Sequence, residues 1–247
     1  MLFDSVKGVG KYIRSNVNEG DISNANTLQA FETDGFQIGT DGRLNTNNDP
    51  VISWNWAASE AFSNDASSTS VGSIDSAGKV GTAAGISIIG WVGTGSAGTI
   101  AHGLSKAPEM IIIKNRDDGD SWMVYHVGAG VTGTTVNSLP EYYMLFLQSS
   151  AARTNYSVDT IWGSTATTFM IDQGGGGAAS LNLNTEKYIA YCFHSVEGYS
   201  RIGSYTATGT AADDTFNNMI YLGFRLKWIM IKNSNATGGG GSGNWCI

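Results

Sequence analysis

The sequence predicts an all-β protein: two antiparallel β-sandwich units of jelly-roll type in tandem, one complete and one made of two half-units at the two ends of the chain. Three observations predict it. Short apolar segments alternate with a period of two, and turns rich in Gly, Asn, Asp and Ser interrupt them roughly every ten residues. The chain also repeats itself with a period of about 120 residues.

The alternation is clearest in KYIAYCF, where Tyr188, Ala190 and Cys192 fall on one face and Ile189, Tyr191 and Phe193 on the other. Both faces are apolar, as expected for a strand covered on two sides. MIIIKN, SWMVYH, YYMLFL, TTFMID and GYSRIGSYTA read the same way. The stretches GTGSAG, DDGD, QGGGGAAS and ATGGGGSG supply the turns, a punctuation that suits antiparallel strands and excludes a βαβ plan. YIRSNVNE is the one stretch predicted to make a helical turn.

The repeat sets the domain plan. Ile111, Ile113, Lys114 and Asn115 fall over Ile229, Ile231, Lys232 and Asn233, with Leu104 over Leu222 and Met110 over Trp228. After a longer loop, Trp122 falls over Trp245, and upstream GWVGTGSAGTIAHGL falls over SYTATGTAADDTFNNMIYL. A second alignment begins where this one stops: MLFDSVKG matches MVYHVGAG, GKYIRSN matches EYYMLFL, DGFQIG matches TTFMID, and DPVISWNWAASE matches EKYIAYCFHSVE. Residues 1–56 are thus the C-terminal half of a unit, 57–69 a linker, 70–202 a complete unit, and 203–247 the N-terminal half of another.

Met1 and Cys246 both align with Met123, so the repeat is interrupted inside one strand. A broken strand leaves backbone donors and acceptors that something must pair. Two arrangements satisfy this: a segment of a longer tandem array, or half-units that complete one another, in cis or between subunits.

Composition narrows the function. Apolar residues make up 41% and charged residues 14% of the chain, and the net charge is −7. With a pI near 4.8 the protein repels phosphate backbones, which excludes nucleic acid as the expected partner. No run approaches the roughly eighteen apolar residues of a membrane helix, and MLFDSVKGVGKYIRSNV lacks the pattern of a signal peptide. Cys192 and Cys246 each sit between apolar neighbours in predicted strands, so both are expected as separate buried thiols.

The polar clusters can be tested against the repeat, because a site both copies need should recur. Asp117, Asp118 and Asp120 suggest calcium, yet the partner loop SNATGGGGSGNW has no carboxylate, so a solvated hairpin tip is expected. The runs Gly174 to Gly177 and Gly238 to Gly241 lack the Lys and Ser/Thr of a phosphate loop and read as loop tips. His102, His126 and His194 align with Ile220, Asp4 and Ala57, so no ligand set or catalytic base recurs. No catalytic residue, metal ligand or cofactor is expected. Repeated aromatics, Trp122 with Trp245, Trp91 with Tyr205 and Trp54 with Tyr191, read as core. Trp162 aligns with Gln29 and lies beside Ser and Thr, which makes it the candidate for stacking on a sugar ring.

KAPEMIIIKNRDDGDSWMVYH, followed by YIAYCFHSVEGYSRIGSYTATGT and YLGFRLKWIMIKN, resembles a family of repeated β domains in virion proteins of tailed phages, marine ones especially, many of them predicted tail fibres. The resemblance covers nearly the whole chain, including the lead-in FSNDASSTSVGSIDSAGKVGTAAGISI. Where the family writes Arg-Pro-Ala-Trp, this chain has Arg225, Leu226, Lys227 and Trp228. The resemblance implies a structural protein of the particle surface, a tail fibre or related appendage, with no catalytic residues. Its expected partners are other copies of itself, other virion proteins and a host-surface glycan. Two alternatives stand beside it: a carbohydrate-binding module of a cell-surface or extracellular protein, and a capsid-decorating protein.

Overall fold

The computed structural model describes residues 1–136, 139–155, 161–171, 181–207, 219–235 and 243–246, and everything below refers to them. In chain order the strands are β1 (Lys11–Tyr12), β2 (Ile22–Ser23), β3 (Leu28–Phe31), β4 (Phe36–Ile38), β5 (Glu60–Asn64), β6 (Ser76–Gly81), β7 (Ile86–Val92), β8 (Gly98–Ala101) and β9 (Met110–Asn115). They continue with β10 (Met123–His126), β11 (Val131–Val136), β12 (Leu139–Tyr142), β13 (Leu145–Phe146), β14 (Ile161–Ser164), β15 (Thr168–Ile171), β16 (Lys187–Phe193), β17 (Ile231–Lys232) and β18 (Trp245–Cys246).

A seven-stranded antiparallel sheet, in the order β13-β10-β9-β16-β7-β6-β5, is the main layer. Strand β16 sits at its centre, with Tyr188 paired to both Trp91 and Asn115. The alternation in KYIAYCF divides as the sequence requires. Tyr188, Ala190 and Cys192 enter one core, while Ile189, Tyr191 and Phe193 join the cluster on the opposite face.

The first core is closed by a second layer, the three-stranded sheet β14-β15-β8, which contributes Ile100, Phe169 and Ile171. This is the all-β sandwich that the sequence predicts. Trp91 anchors it, stacked on Tyr188 with ring centroids 5.3 Å apart and edge-on to Phe169 at 5.9 Å. Its indole N–H donates to Asn182 Oδ1 at 3.3 Å, so the polar edge of a buried ring is satisfied.

The opposite face of the large sheet is covered by both ends of the chain. Leu2, Val6 and Ile13 pack with Trp122, Ile189 and Tyr191, and Leu2 bridges to Ile13. Beside them Trp245, from the hairpin β17–β18, packs with Val124, Ala129 and Leu145. Ile112 and Leu147 touch both clusters. The N-terminal stretch is also held to the β9–β10 hairpin, where Arg116 pairs with Asp21 at 2.7 Å and Asp21 N–H donates to Arg116 O. Gly20 permits that approach, since a Cβ there would lie 2.6 Å from Arg116 O.

Four expectations are corrected. GYSRIGSYTA, expected as a strand, makes only a tight turn in which Ser200 bridges back to Val196, and 201–207 run on without a strand. Within the stretch 57–69, expected as a linker, β5 forms the edge strand of the large sheet. Its partner is β6, with Phe62 opposite Gly78. YIRSNVNE makes no helical turn; its Arg14 and Glu19 close a non-helical turn as an ion pair. The two short helices, Gly42–Asn45 and Ala66–Thr69, instead follow Asp41 and Asp65, whose carboxylates accept from the first helical N–H groups. Finally, Cys246 is exposed, because β18 lies in a two-stranded hairpin and only its Trp245 side faces the sheet; Cys192 is buried, and both thiols are free.

Candidate functional site

Trp162 lies in β14, in the smaller layer of the sandwich, but its side chain falls outside the described residues. The glycine runs 174–177 and 238–241 fall outside them as well.

The acidic loop is only partly a solvated tip. Asn115 Oδ1 accepts from the N–H groups of Asp117 and Asp118, and Asn115 Nδ2 donates to Asp120 Oδ2 at 2.7 Å. Asp117 Oδ2 accepts from the N–H of Lys187, which ties the loop to β16. These carboxylates are spread among separate backbone and side-chain partners, and among the described residues no group of acids, His and Cys is placed to hold a metal.

Lys114, fully buried on β9, explains the shape of this loop. Its ammonium donates to the carbonyls of Asn115 at 2.7 Å and Asp118 at 2.9 Å, closing the turn from inside. Burial lowers its pKa to about 8, against the pull of Asp120 and Asp118. The aligned Lys232 does the same work in the β17–β18 hairpin, donating to Ser149 O at 3.0 Å and to Gly243 O. A lysine that recurs and serves backbone carbonyls in both copies is structural.

The histidines divide similarly. His102 is fully buried, its Nδ1 accepts from the N–H of Leu104, and its Nε2 lies 3.2 Å from Thr165 O. That pairing fixes the neutral Nε2–H tautomer, and burial lowers the pKa to about 4. His126 Nδ1 accepts from Gly128 N–H at 2.9 Å, which shapes the turn after β10. His194 Nδ1 lies 2.9 Å from the carbonyl of its neighbour Ser195.

Two features were missed from sequence. Asp4, Lys7 and Tyr191 form a buried polar cluster beneath the N-terminal stretch: Lys7 pairs with Asp4, its ammonium reaches Tyr191 OH at 3.0 Å, and Tyr191 OH donates to Asp4 Oδ2 at 2.7 Å. Burial pushes the Tyr191 hydroxyl well above the ordinary phenol range, with Asp4 adding to it. Lys7 and Tyr191 are far apart in the chain, so no local pattern announces the contact.

The second is a run of exposed aromatics. Trp91, Trp122 and Tyr191 are buried as expected for core, but their aligned counterparts are not uniformly so. Trp54 and Tyr205 are exposed, together with Trp56, Tyr221 and Trp228, which corrects the reading of Trp54 and Tyr205 as core. Trp54 and Trp56 both meet Trp228 edge-on, with centroids 6.2 and 6.3 Å apart. The signal was present in the sequence: these aromatics lie in the two end segments, whose aligned positions Trp91 and Tyr191 in 70–202 are each covered by a packed layer.

The fold and its polar clusters define an all-β sandwich protein in which the described buried polar groups brace turns and join segments. The chain belongs to the family described as Domain of unknown function (DUF7483), whose profile matches residues 1–247. No curated protein and no solved structure matches it.

Proposed function

We propose that the protein is a structural component of a phage particle, a tail-fibre or surface-appendage module that acts by shape and contact and has no enzymatic activity. One observation carries the reading: the recurring Trp and Lys side chains bond to backbone carbonyls, the tryptophans to those of neighbouring segments and the lysines to those that close their own hairpins. Trp122 Nε1 donates to Arg14 O at 3.0 Å and Trp245 Nε1 to Phe146 O at 2.8 Å, while Lys114 and Lys232 close their hairpins. Repetition here maintains joints between modules, which is what an extended scaffold requires. The sequence likeness to virion β domains and the net charge of −7, which keeps the surface off phosphate backbones, point the same way.

Its location would be the particle surface, and its partners other copies, other virion proteins and a host-surface glycan. The carbohydrate-binding alternative rests on Trp162 alone. The test is proteomics of gradient-purified particles followed by immunogold labelling. Label on tail appendages supports the reading, label on the capsid moves it to the decorating alternative, and absence of the chain from pure particles overturns it.

A further inference from the structure

We infer that the two ends of the chain are halves of one second sandwich, which closes in cis when the segment 51–56 pairs antiparallel with the segment 228–233. Four observations converge on this, independently of any role in a particle.

The first is exposure. Side chains buried in the complete copy are uncovered at the aligned positions of the half-units: Ile52 is 86% exposed against 0% for Ile189, Ile229 45% against 0% for Ile111, and Phe36 46% against 0% for Phe169. These are core positions without a cover. An exposed apolar strip of this kind marks a surface that something occupies.

Register comes next. In the complete copy β16 pairs with β9, with Phe193 opposite Met110. The aligned residues are Trp56 and Trp228, whose rings meet edge-on at 6.3 Å, and Trp54, two residues along the same segment, meets Trp228 at 6.2 Å. The two ends of the chain therefore meet within one strand step of the residue pair the finished ladder requires, although neither 51–56 nor 228–230 is in a strand.

Reciprocity is the third. Trp122 of the complete copy bonds to the carbonyl of Arg14 within residues 1–56, and Trp245 within residues 203–247 bonds to the carbonyl of Phe146 in the complete copy. Arg14 aligns with Leu145, one step from Phe146. Each unit thus gives its tryptophan to a backbone carbonyl of the other, at neighbouring rather than equivalent positions.

The last concerns room. Both half-units seat on the same face of the large sheet, and Ile112 and Leu147 touch both. One sheet face accommodates one covering layer. If the halves belonged to two different complete units, as in a linear array, both units would claim that face. Halves of a single unit share it without conflict.

The occupant of the exposed strip is accordingly the opposite end of the same chain. The test is disulfide trapping in a Cys246→Ser background, leaving Cys192 buried. In the closed ladder Asn55 stands opposite Ile229, as Cys192 stands opposite Ile111. The variant Asn55→Cys/Ile229→Cys should form an intrachain bond under mild oxidation, at least tenfold faster than the out-of-register pair Asn55→Cys/Met230→Cys. Interchain bonding would overturn the inference in favour of exchange between copies, and equal rates for the two pairs would overturn it outright. Hydrogen exchange on the unmodified protein gives a reading free of substitutions. Amides of 51–56 and 228–233 should exchange at least a hundredfold slower than the loop 46–49, and unprotected amides there would sink the idea.

Discussion

Replacing Lys7 with Met tests how firmly the N-terminal stretch is docked. The ammonium is fully buried and the paired Asp4 carboxylate nearly so, with Tyr191 OH as the third member. Lys7→Met keeps the stem volume and removes the charge, leaving a buried carboxylate without its counterion. Breaking one side of such a pair typically costs about 3–5 kcal/mol. Asp4 still accepts from Tyr191 OH and from the N–H groups of Val6 and Lys7, which places the loss near the lower end, about 3 kcal/mol. For a chain of this size that corresponds to a fall in Tm of about 6–12 °C. Scanning fluorimetry and urea unfolding followed by tryptophan emission measure it directly. Adding Asp4→Leu should recover most of the loss, because the uncompensated charge is then gone. A single variant within about 0.5 kcal/mol of the parent, the range of neutral surface substitutions, would show that the N-terminal stretch does not seat on Tyr191.

Three further outcomes are expected. His102 is neutral in the fold with a pKa near 4, while an unfolded histidine titrates near 6.5; stability should therefore fall as pH drops from about 6.5 to 4, by about 3 kcal/mol in all, and His102→Gln should flatten that part of a urea-midpoint profile. Cys246 should react with a thiol reagent in the native state and Cys192 only after unfolding, because burial pushes the Cys192 thiol up to about 12; two native thiols of equal rate would contradict the central place of β16. Trp122→Ala should cost about 3–5 kcal/mol, as for other large-to-small changes at buried sites, and should loosen the N-terminal stretch to limited proteolysis before the sandwich itself unfolds.

The strands and faces of the large sheet were legible because period-two patterning is a local property. Tyr188, Ala190 and Cys192 could be assigned to one side of β16 from seven residues of sequence. The repeat added long-range information, since it identified Trp122 with Trp245 and Lys114 with Lys232 before their bonds were seen. Other features depend on contacts that leave no local trace. Nothing local marks Asp4 and Lys7 as buried, because their partner Tyr191 lies far along the chain. FSND reads as linker because an edge strand needs only one apolar face, and in β5 only Phe62 contacts the core. The position of Cys246 between Trp and Ile suggested burial, but β18 is covered on one side only.

The contrast between the two docking sites bears on how a repetitive chain avoids pairing with itself in the wrong order, the characteristic failure of such proteins. Lys7 aligns with Ala129, and Tyr191 with Trp54. At the N-terminal site the joint is polar, Asp4 and Lys7 on Tyr191; at the C-terminal site it is apolar, Ala129 with Val124, Leu145 and Trp245. Were the segment 51–57 to take the place of β16 beneath the N-terminal stretch, Trp54 would present an indole where Lys7 and Asp4 need a hydroxyl. A desolvated cation would then lose one of its two partners, and the carboxylate its phenolic donor. The Asp4–Lys7 pair thus contributes little net stability when correctly seated, yet it penalises the swapped arrangement heavily, and that asymmetry lets near-identical strands find different places.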